Sequence, residues 1–278
     1  MSLGIVSVTV GAIAASGLFL TLVLCIDRPR QALQRLDEEI LDIAPYLALV
    51  GVVMLLHRIT HGLSLRISDA LGLNITDIIY DVEGSFVVYL QAVTPDGLVP
   101  VFSGLYMFGF AYVLATPVVL YVLTSATRPA KELLVAYAFN NVIGALLYTL
   151  FIAYGPRIRL SGRVDGLLYD WFPQTQQLTG AVSANTNVFP SLHTSLSVVV
   201  LLFAWRRRHV QPRWFGIAFV VTTGIVTSTM VLGIHWLTDV VAGVALAYGS
   251  VVAASRTVPV VDMLWEQTVA ERLPSLTT

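Results

Sequence analysis

Charged residues are scarce in this chain. Only 12% of its 278 residues are charged, whereas a soluble globular domain carries roughly a quarter. Hydrophobic residues make up 56% of the chain, and they form several uncharged runs of membrane-spanning length that a core of this size could not hide. The composition therefore excludes an ordinary soluble protein and predicts a polytopic membrane protein.

Cysteine and net charge are equally sparse. A single cysteine, Cys25, excludes a disulfide framework and a Cys-rich metal site. The 16 basic and 17 acidic residues nearly cancel, giving a net charge of -1, so no basic field indicates nucleic acid as a partner. We expect the lipid bilayer as the partner and no cofactor.

The uncharged runs predict an all-α bundle of six or seven membrane helices. The first run is expected to be a retained helix, because no basic cluster or small-residue cleavage site marks it as a signal peptide. The second run is shorter than the roughly 20 residues needed to span a bilayer, which leaves its full crossing open. The predicted spans are residues 3–26, 43–56, 97–127, 133–154, 191–205, 214–234 and 240–255.

Residues 58–96 have a different character. Apolar residues recur there at helical spacing with acidic residues between them, which predicts an interfacial amphipathic helix and suggests a platform for lipid entry. Its apolar residues are Ile75, Ile78, Ile79, Val82 and Phe86. We divide the chain into an N-terminal region, residues 1–97, and a core, residues 98–278, within one structural domain.

The distribution of arginine predicts the orientation. Arg206, Arg207, Arg208 and Arg213 crowd the link between the fifth and sixth spans, and such clusters mark the cytoplasmic side. The outer ends of spans four to seven then face the extracytoplasmic side of the cell membrane. They carry the ionisable residues Arg157, Arg159, His193, His235 and Asp239.

Two polar side chains open the last span. His235 and Asp239 stand at i and i+4, so they share a helical face and the carboxylate can accept a proton from one ring nitrogen. A carboxylate that fixes the tautomer leaves the other nitrogen able to act as a nucleophile or base. The pair also fits a structural role, with His235 capping the helix.

A phosphate site is predicted beside this pair. Pro190 is expected to open the fifth span, which would present backbone N–H groups and the Ser191 hydroxyl next to His193. Arg157, with Arg159, follows the fourth span and could grip phosphate oxygens in a bidentate fork. Each feature alone also fits a helix start or a lipid-bound arginine, but their combination at one membrane face favours a phosphate site.

These motifs resemble those of the membrane-bound type 2 phosphatidic acid phosphatase superfamily, which shares its core with vanadium-dependent haloperoxidases. Residues 190–193 are similar to the family motif Pro-Ser-Gly-His. Residues 228–239 are similar to the motif in which Ser-Arg is followed by His and Asp, with the same spacing. The resemblance covers roughly residues 140–255.

The sequence departs from the family pattern at three positions. Leu192 replaces the glycine, Thr229 replaces the arginine, and Leu150 stands where the first motif has lysine, with residues 155–157 as the nearest counterpart of that motif. The version Phe-Pro-Ser-Leu-His at residues 189–193 is similar to the inositol phosphorylceramide synthase branch, whose members are phosphotransferases.

The resemblance implies a metal-independent phosphohistidine mechanism acting on a lipid phosphate. His235 would attack phosphorus, Asp239 would orient it, and His193 would protonate the leaving oxygen. The phosphate oxygens would be held by Arg157, Arg159 and Ser191. Release to water would make the protein a phosphatase, and release to a polyol such as inositol would make it a phosphotransferase; the sequence leaves this choice open.

Two other classes of protein remain as alternatives. A membrane transporter would use polar residues within the spans, of which Asn140 and Asn141 are the strongest pair. Haem ligation by His193 and His235 is the other. Clustering of the ionisable groups at span ends on one face favours the enzyme.

Overall fold

The computed structural model describes residues 3–27, 29–168 and 185–272, and most of these residues are helical. The N-terminal part comprises α1 (Leu3–Cys25), α2 (Pro29–Gln34), α3 (Leu36–Leu71), α4 (Thr76–Glu83) and α5 (Phe86–Val93). The remaining helices are α6 (Asp96–Leu123), α7 (Thr127–Leu150), α8 (Pro156–Arg159), α9 (Leu192–Arg206), α10 (Pro212–Val231) and α11 (Leu237–Arg272). Within α6, a π-helical turn at Leu105–Gly109 interrupts the regular helix.

Five helices in the described part of the chain are long and apolar enough to cross a membrane, namely α3, α6, α7, α10 and α11 through Met263. Shorter apolar helices at Gly11–Cys25 and Leu192–Arg206 coincide with the predicted first and fifth spans. The predicted fold class, an all-α polytopic membrane bundle, is confirmed. Its core consists of apolar side chains from α3, α6, α7, α9, α10 and α11.

The second predicted span is wrong in length. Helix α3 has 36 residues instead of the short run at residues 43–56, because polar residues at both ends continue the helix beyond the apolar segment. At about 1.5 Å per residue it is long enough to cross the membrane and extend beyond it. It ends at Gly72, whose left-handed backbone (φ 63°) lets its N–H bond the Ser68 carbonyl.

The interfacial helix predicted within residues 58–96 is not a single helix: residues 58–71 belong to α3, and the rest of the segment forms mainly the short helices α4 and α5. Gly84, with φ 63° and ψ -128°, separates α4 from α5, and side chains other than glycine rarely adopt this backbone conformation. The amphipathic character holds: Ile79 is buried against Trp236 and its neighbours, while Ile78 and Val82 are 64% and 77% exposed.

Loops meet at the end of the bundle where α9 and α11 begin. The Ile75 N–H donates to the Ile152 carbonyl (2.9 Å), and the Ala153 N–H donates to the Thr186 carbonyl (3.0 Å). The segments after α3, α7 and before α9 are therefore tied together by short bridges. These contacts bring residues that are far apart in sequence together at one end of the bundle.

Candidate active site

The His235 and Asp239 side chains face each other at the N-terminus of α11. His235 Nδ1 lies 3.4 Å from Asp239 Oδ2, and the two residues are 5% and 0% exposed. The imidazole also donates a hydrogen bond to the backbone carbonyl of Val188. The predicted mechanism requires one ring nitrogen without a hydrogen bond, whereas in the structure the ring is held from the Val188 side as well.

The protonation state of His235 follows from its surroundings. His235 lies in the link between α10 and α11, and burial lowers its pKa to about 3 because desolvation penalises the charged form. The hydrogen bond to Val188 opposes this shift, and the positive charge of Arg157 adds to it. The imidazole is therefore neutral near pH 7, the form that a nucleophile requires.

Asp239 is fixed by the start of its own helix. Its Oδ2 accepts the backbone N–H of Trp236 at 2.8 Å. Trp236 is the residue just before the first helical residue of α11, so this is the bond from the third helical residue back to the N-cap in a capping box. The Trp236 indole donates to the Tyr154 carbonyl at 2.9 Å. These bonds fix the carboxylate position beside His235.

Glu83, a residue that the sequence analysis did not select, caps the same helix. Its Oε2 accepts the Thr238 backbone N–H at 3.0 Å and lies 3.3 Å from the Thr238 hydroxyl. Glu83 comes from α4, 155 positions earlier in the chain. The only sequence signal was an acidic residue within the amphipathic segment, and nothing in that pattern indicated its partner.

His193 lies one residue into α9, on the side of His235. Its ring stacks on Tyr106, with centroids 4.2 Å apart, and contacts Phe110 at 4.1 Å. Tyr106 and Phe110 stand four positions apart in α6 and so share a helical face, and Tyr106 lies within the π-helical turn, a feature that often occurs at functional sites. His193 and His235 are close enough to influence each other electrostatically.

The start of α9 differs by two residues from the prediction. Pro190 does not open the helix: Ser191 is the N-cap, and its hydroxyl oxygen accepts the Thr194 N–H at 3.3 Å. The Ser191 N–H in turn donates to the Asp239 carbonyl at 3.1 Å. Serine is a better cap than proline, because its side-chain oxygen satisfies a backbone donor that would otherwise lack a partner.

Gly243 allows α11 to meet α9, the helix that carries His193. A Cβ atom at this position would lie 2.7 Å from the Ser191 carbonyl oxygen and 3.2 Å from the Thr194 Cβ. Helix α11 therefore approaches the start of α9 more closely than any side chain would permit. This approach brings Asp239 to Ser191.

The two arginines after α7 have different surroundings. The Arg157 backbone N–H donates to the Gly233 carbonyl at 3.1 Å, and its guanidinium contributes positive charge at His235. Arg159 instead pairs with Asp77 of α4 at 2.8 Å and lies over the Tyr80 ring. The structure therefore brings Arg157 to the histidine site and holds Arg159 on α4.

The departure at position 192 has a structural reason, whereas the contacts at position 229 are made by the backbone and do not explain the threonine. Leu192 packs into a notch at Gly144 of α7, where a Cβ atom would lie 2.6 Å from the leucine Cδ2. Thr229 is buried, and its carbonyl accepts the N–H groups of both Ile234 and His235. Each residue supports the backbone around the site.

Asn140, a candidate for a transport path, is held within the bundle. It is fully buried, and its amide donates to Ser195 of α9 and Ser250 of α11. Such interhelical hydrogen bonds join membrane helices. Asn141 donates to the carbonyl of Tyr137 in its own helix.

The chain belongs to the PAP2 superfamily. The family model matches residues 83–253, which is more than half of the chain and includes the whole histidine site. An uncharacterized protein of Methanocaldococcus jannaschii is 22% identical over 165 residues, covering 59% of this chain and 63% of that protein. The chain thus spans less than two thirds of the length of this relative. No solved structure matches the chain.

Proposed function

We propose that this protein is an integral membrane enzyme that hydrolyses or transfers the phosphoryl group of a lipid phosphate through a phosphohistidine intermediate. The observation that carries the proposal is a buried pair: His235, which is neutral, lies 3.4 Å from Asp239. Arg157 and His193 are both close enough to influence His235 electrostatically. Membership of the PAP2 superfamily supports phosphatase-type chemistry.

The proposed first step breaks the phosphorus–oxygen bond of the lipid. His235 carries its ring proton on Nδ1, facing Asp239, so that its other nitrogen leaves Val188 and attacks phosphorus with a free lone pair. The electron pair of the broken bond leaves with the lipid oxygen, which takes a proton from protonated His193, whose charge the bound phosphate stabilises. Asp239 stabilises the positive charge that develops on the imidazole. Arg157, the Ser191 hydroxyl and the N–H groups near the start of α9 hold the phosphate oxygens. Arg159 could reach them only after release from Asp77.

The second step regenerates the histidine. Water attacks the phosphohistidine while His193, now deprotonated, accepts a proton from the water, so that inorganic phosphate leaves and His235 becomes neutral again. No metal has a role in this sequence of steps. Among the described residues, no three His, Cys, Asp or Glu side chains form a metal-binding group.

A phosphotransferase is the second candidate, and one observation favours it. Leu192 stands where the phosphatase motif has glycine, as in the inositol phosphorylceramide synthase branch, and it packs against Gly144. In this case the donor is a phosphodiester lipid, and an alcohol such as inositol attacks the histidine-bound phosphorus in place of water. The product is then a new phosphodiester.

A lipid substrate is supported by the surface beside the site. The outward faces of α4 and of α5 each present a short stripe of exposed apolar residues near Glu83. They are Ile78, Val82, Phe86, Tyr89 and Val93. A stripe of this kind suits the interfacial region of a bilayer, from which a lipid phosphate would reach His235.

The deciding experiment is an assay of the purified full chain in detergent. Phosphatidic acid and phosphatidylinositol are supplied with and without free inositol, and inorganic phosphate and new phosphodiester are both followed. We expect one product to form and to disappear in His235→Ala, while the exposed His209→Ala control keeps wild-type activity. Unchanged turnover in a folded His235→Ala variant would contradict the mechanism, and no product from either lipid would favour transport.

The extracytoplasmic orientation is a separate part of the proposal. It rests on the arginines Arg206, Arg207, Arg208 and Arg213, which lie at the opposite ends of α9 and α10 from the histidines. In a Cys25→Ala background, we expect Ser161→Cys to react with a membrane-impermeant maleimide on intact cells and His209→Cys to react only after lysis. The reverse pattern would overturn the orientation.

A further inference from the structure

A polar cavity lies at the end of the bundle opposite the histidines. It has a volume of about 660 Å³ and lies between the end of α1, α2, the end of α6 and the link from α9 to α10. This volume falls within the range of about 300–1,000 Å³ that small-molecule sites occupy. Arg207 in its wall follows His193 by 14 positions along and just beyond α9, which is about 20 Å.

Two side chains in the cavity wall have buried polar atoms without partners. Arg207 Nε and Gln211 Oε1 are inaccessible to solvent and make no hydrogen bond. Gln211 is only 8% exposed, and its amide nitrogen donates to Thr124 Oγ1 at 3.1 Å. Unpaired buried groups cost about 1–3 kcal/mol each, and more when charged. Because both side chains line the cavity, a rotation that turns these atoms toward a bound molecule would pair them and stabilise this end of the protein.

The charges around the cavity favour an anion. Arg35 and Arg207 both line it, and among the residues that the structure describes neither is in ion-pair distance of a carboxylate. Arg207 lies over the Tyr121 ring, 5.5 Å from its centroid. The lining Asp27 is 3.6 Å from Arg213, so its negative charge is already balanced.

The two unpaired atoms define the ligand further. Arg207 Nε is a donor, which suits a phosphate oxygen, and Gln211 Oε1 is an acceptor, which requires a hydroxyl or amine on the same molecule. The cavity also borders apolar surface. Leu24, Leu33 and Val210 beside it are 46%, 63% and 70% exposed, as expected where acyl chains lie along the protein.

We propose that this cavity binds the head group of a membrane phospholipid, with Arg207 and Arg35 on its phosphate and Gln211 accepting a hydrogen bond from a head-group hydroxyl or amine. The site lies at the opposite membrane face from the proposed active site and does not depend on the function proposed for it. Basic pockets between membrane helices are suited to such lipids.

Native mass spectrometry of the detergent-purified full chain tests the proposal. The probes are phosphatidylglycerol, which has both phosphate and hydroxyls, diacylglycerol, which lacks the phosphate, and inorganic phosphate as a competitor. We expect the wild type to bind one phosphatidylglycerol. The Arg207→Gln and Gln211→Leu variants should each bind it at least tenfold more weakly. The adjacent Arg208→Gln, whose guanidinium lies over Trp205, is the matched control and should bind as the wild type does.

Further outcomes locate the site and identify its ligand. Binding that persists in Arg157→Gln supports the cavity, whereas loss in that variant would assign the lipid to the histidine site and overturn the proposal. If diacylglycerol bound equally well, the phosphate would not contribute to binding and the proposal would fail. If millimolar inorganic phosphate displaced the lipid, the ligand would be a soluble phosphate compound and not a lipid. Undiminished binding in both Arg207→Gln and Gln211→Leu would also overturn it.

Discussion

The Glu83 carboxylate accepts the backbone N–H of Thr238 at 3.0 Å and lies within hydrogen-bond distance of its hydroxyl, at 3.3 Å. One residue belongs to the amphipathic helix α4 and the other to the first turn of α11, beside Asp239. An acidic group at a helix N-terminus satisfies an open donor and interacts favourably with the helix dipole. The contact therefore joins the interfacial helix directly to the helix that carries the proposed site.

Glu83→Ala should lower kcat about fivefold, because the cap contributes about 1 kcal/mol to the turn that positions Asp239, and a loss of that size in the transition state is about fivefold in rate. Glu83→Gln, which keeps an acceptor oxygen, should recover most of this loss. The exposed Asp81→Ala in the same helix is the control. Steady-state assays with a lipid phosphate measure the effect, and a wild-type kcat for Glu83→Ala would show that the contact does not position the site.

Asp239→Asn should reduce kcat by about three to four orders of magnitude, since an amide neither fixes the histidine tautomer nor balances the developing charge. The amide oxygen can still accept the Trp236 N–H, so the fold should persist. The measurement combines single-turnover kinetics with thermal unfolding. A fall in activity that only parallels a fall in Tm would indicate a structural role for Asp239.

The depressed pKa of His235 predicts an unusual pH dependence. At pH 5.5 a solvent-exposed histidine is about nine-tenths protonated, whereas buried His235, with its pKa lowered to about 3, stays neutral and nucleophilic. The pH profile of kcat/KM should therefore keep its plateau below pH 6. An acid limb centred near 6.5 would contradict this assignment.

The same shift affects stability. Below about pH 6.5 the unfolded chain takes up a proton at His235 that the folded chain does not, so the free energy of unfolding should decrease as the pH falls. In His235→Gln this part of the pH dependence should disappear. Denaturant unfolding at pH 7 and pH 5 provides the comparison.

Arg157 and Arg159 should differ sharply when substituted. Arg157→Ala is expected to lower kcat/KM by about 100-fold, the usual cost of losing one donor to a transition-state oxyanion. Arg159→Ala removes only a half-exposed ion pair with Asp77, worth about 0–1 kcal/mol, so the change should be less than about fivefold. Kinetics of both variants decide whether one or both arginines hold the phosphate.

Gly243→Ala should destabilise the protein by about 1–3 kcal/mol, because the new methyl group would meet the Ser191 carbonyl. The same change should reduce activity by moving α11 away from α9. Gly249→Ala in the same helix is the control, since a Cβ there has no neighbour within 4 Å. Thermal unfolding and turnover of the pair report the effect.

Composition and spacing alone determined the class of this protein and part of its site. Long uncharged runs must be buried in lipid, so the all-α membrane fold follows directly from them. The spacing of His235 and Asp239 predicted their contact from a shared helix face, but His235 lies two residues before α11, and the turn capped by the bond from the Trp236 N–H to Asp239 brings the two side chains together. These are local properties, which short stretches of sequence contain in full.

Tertiary structure decided the remaining features. The pairing of Arg159 with Asp77, the cap that Glu83 provides for α11, and the stacking of Tyr106 on His193 each join residues from separate helices. The pocket around Arg207 and Gln211 likewise forms only where several helices end together. Such contacts depend on how the helices pack, and packing is determined by many small interactions along the whole length of the helices. No single sequence motif is therefore enough to predict them.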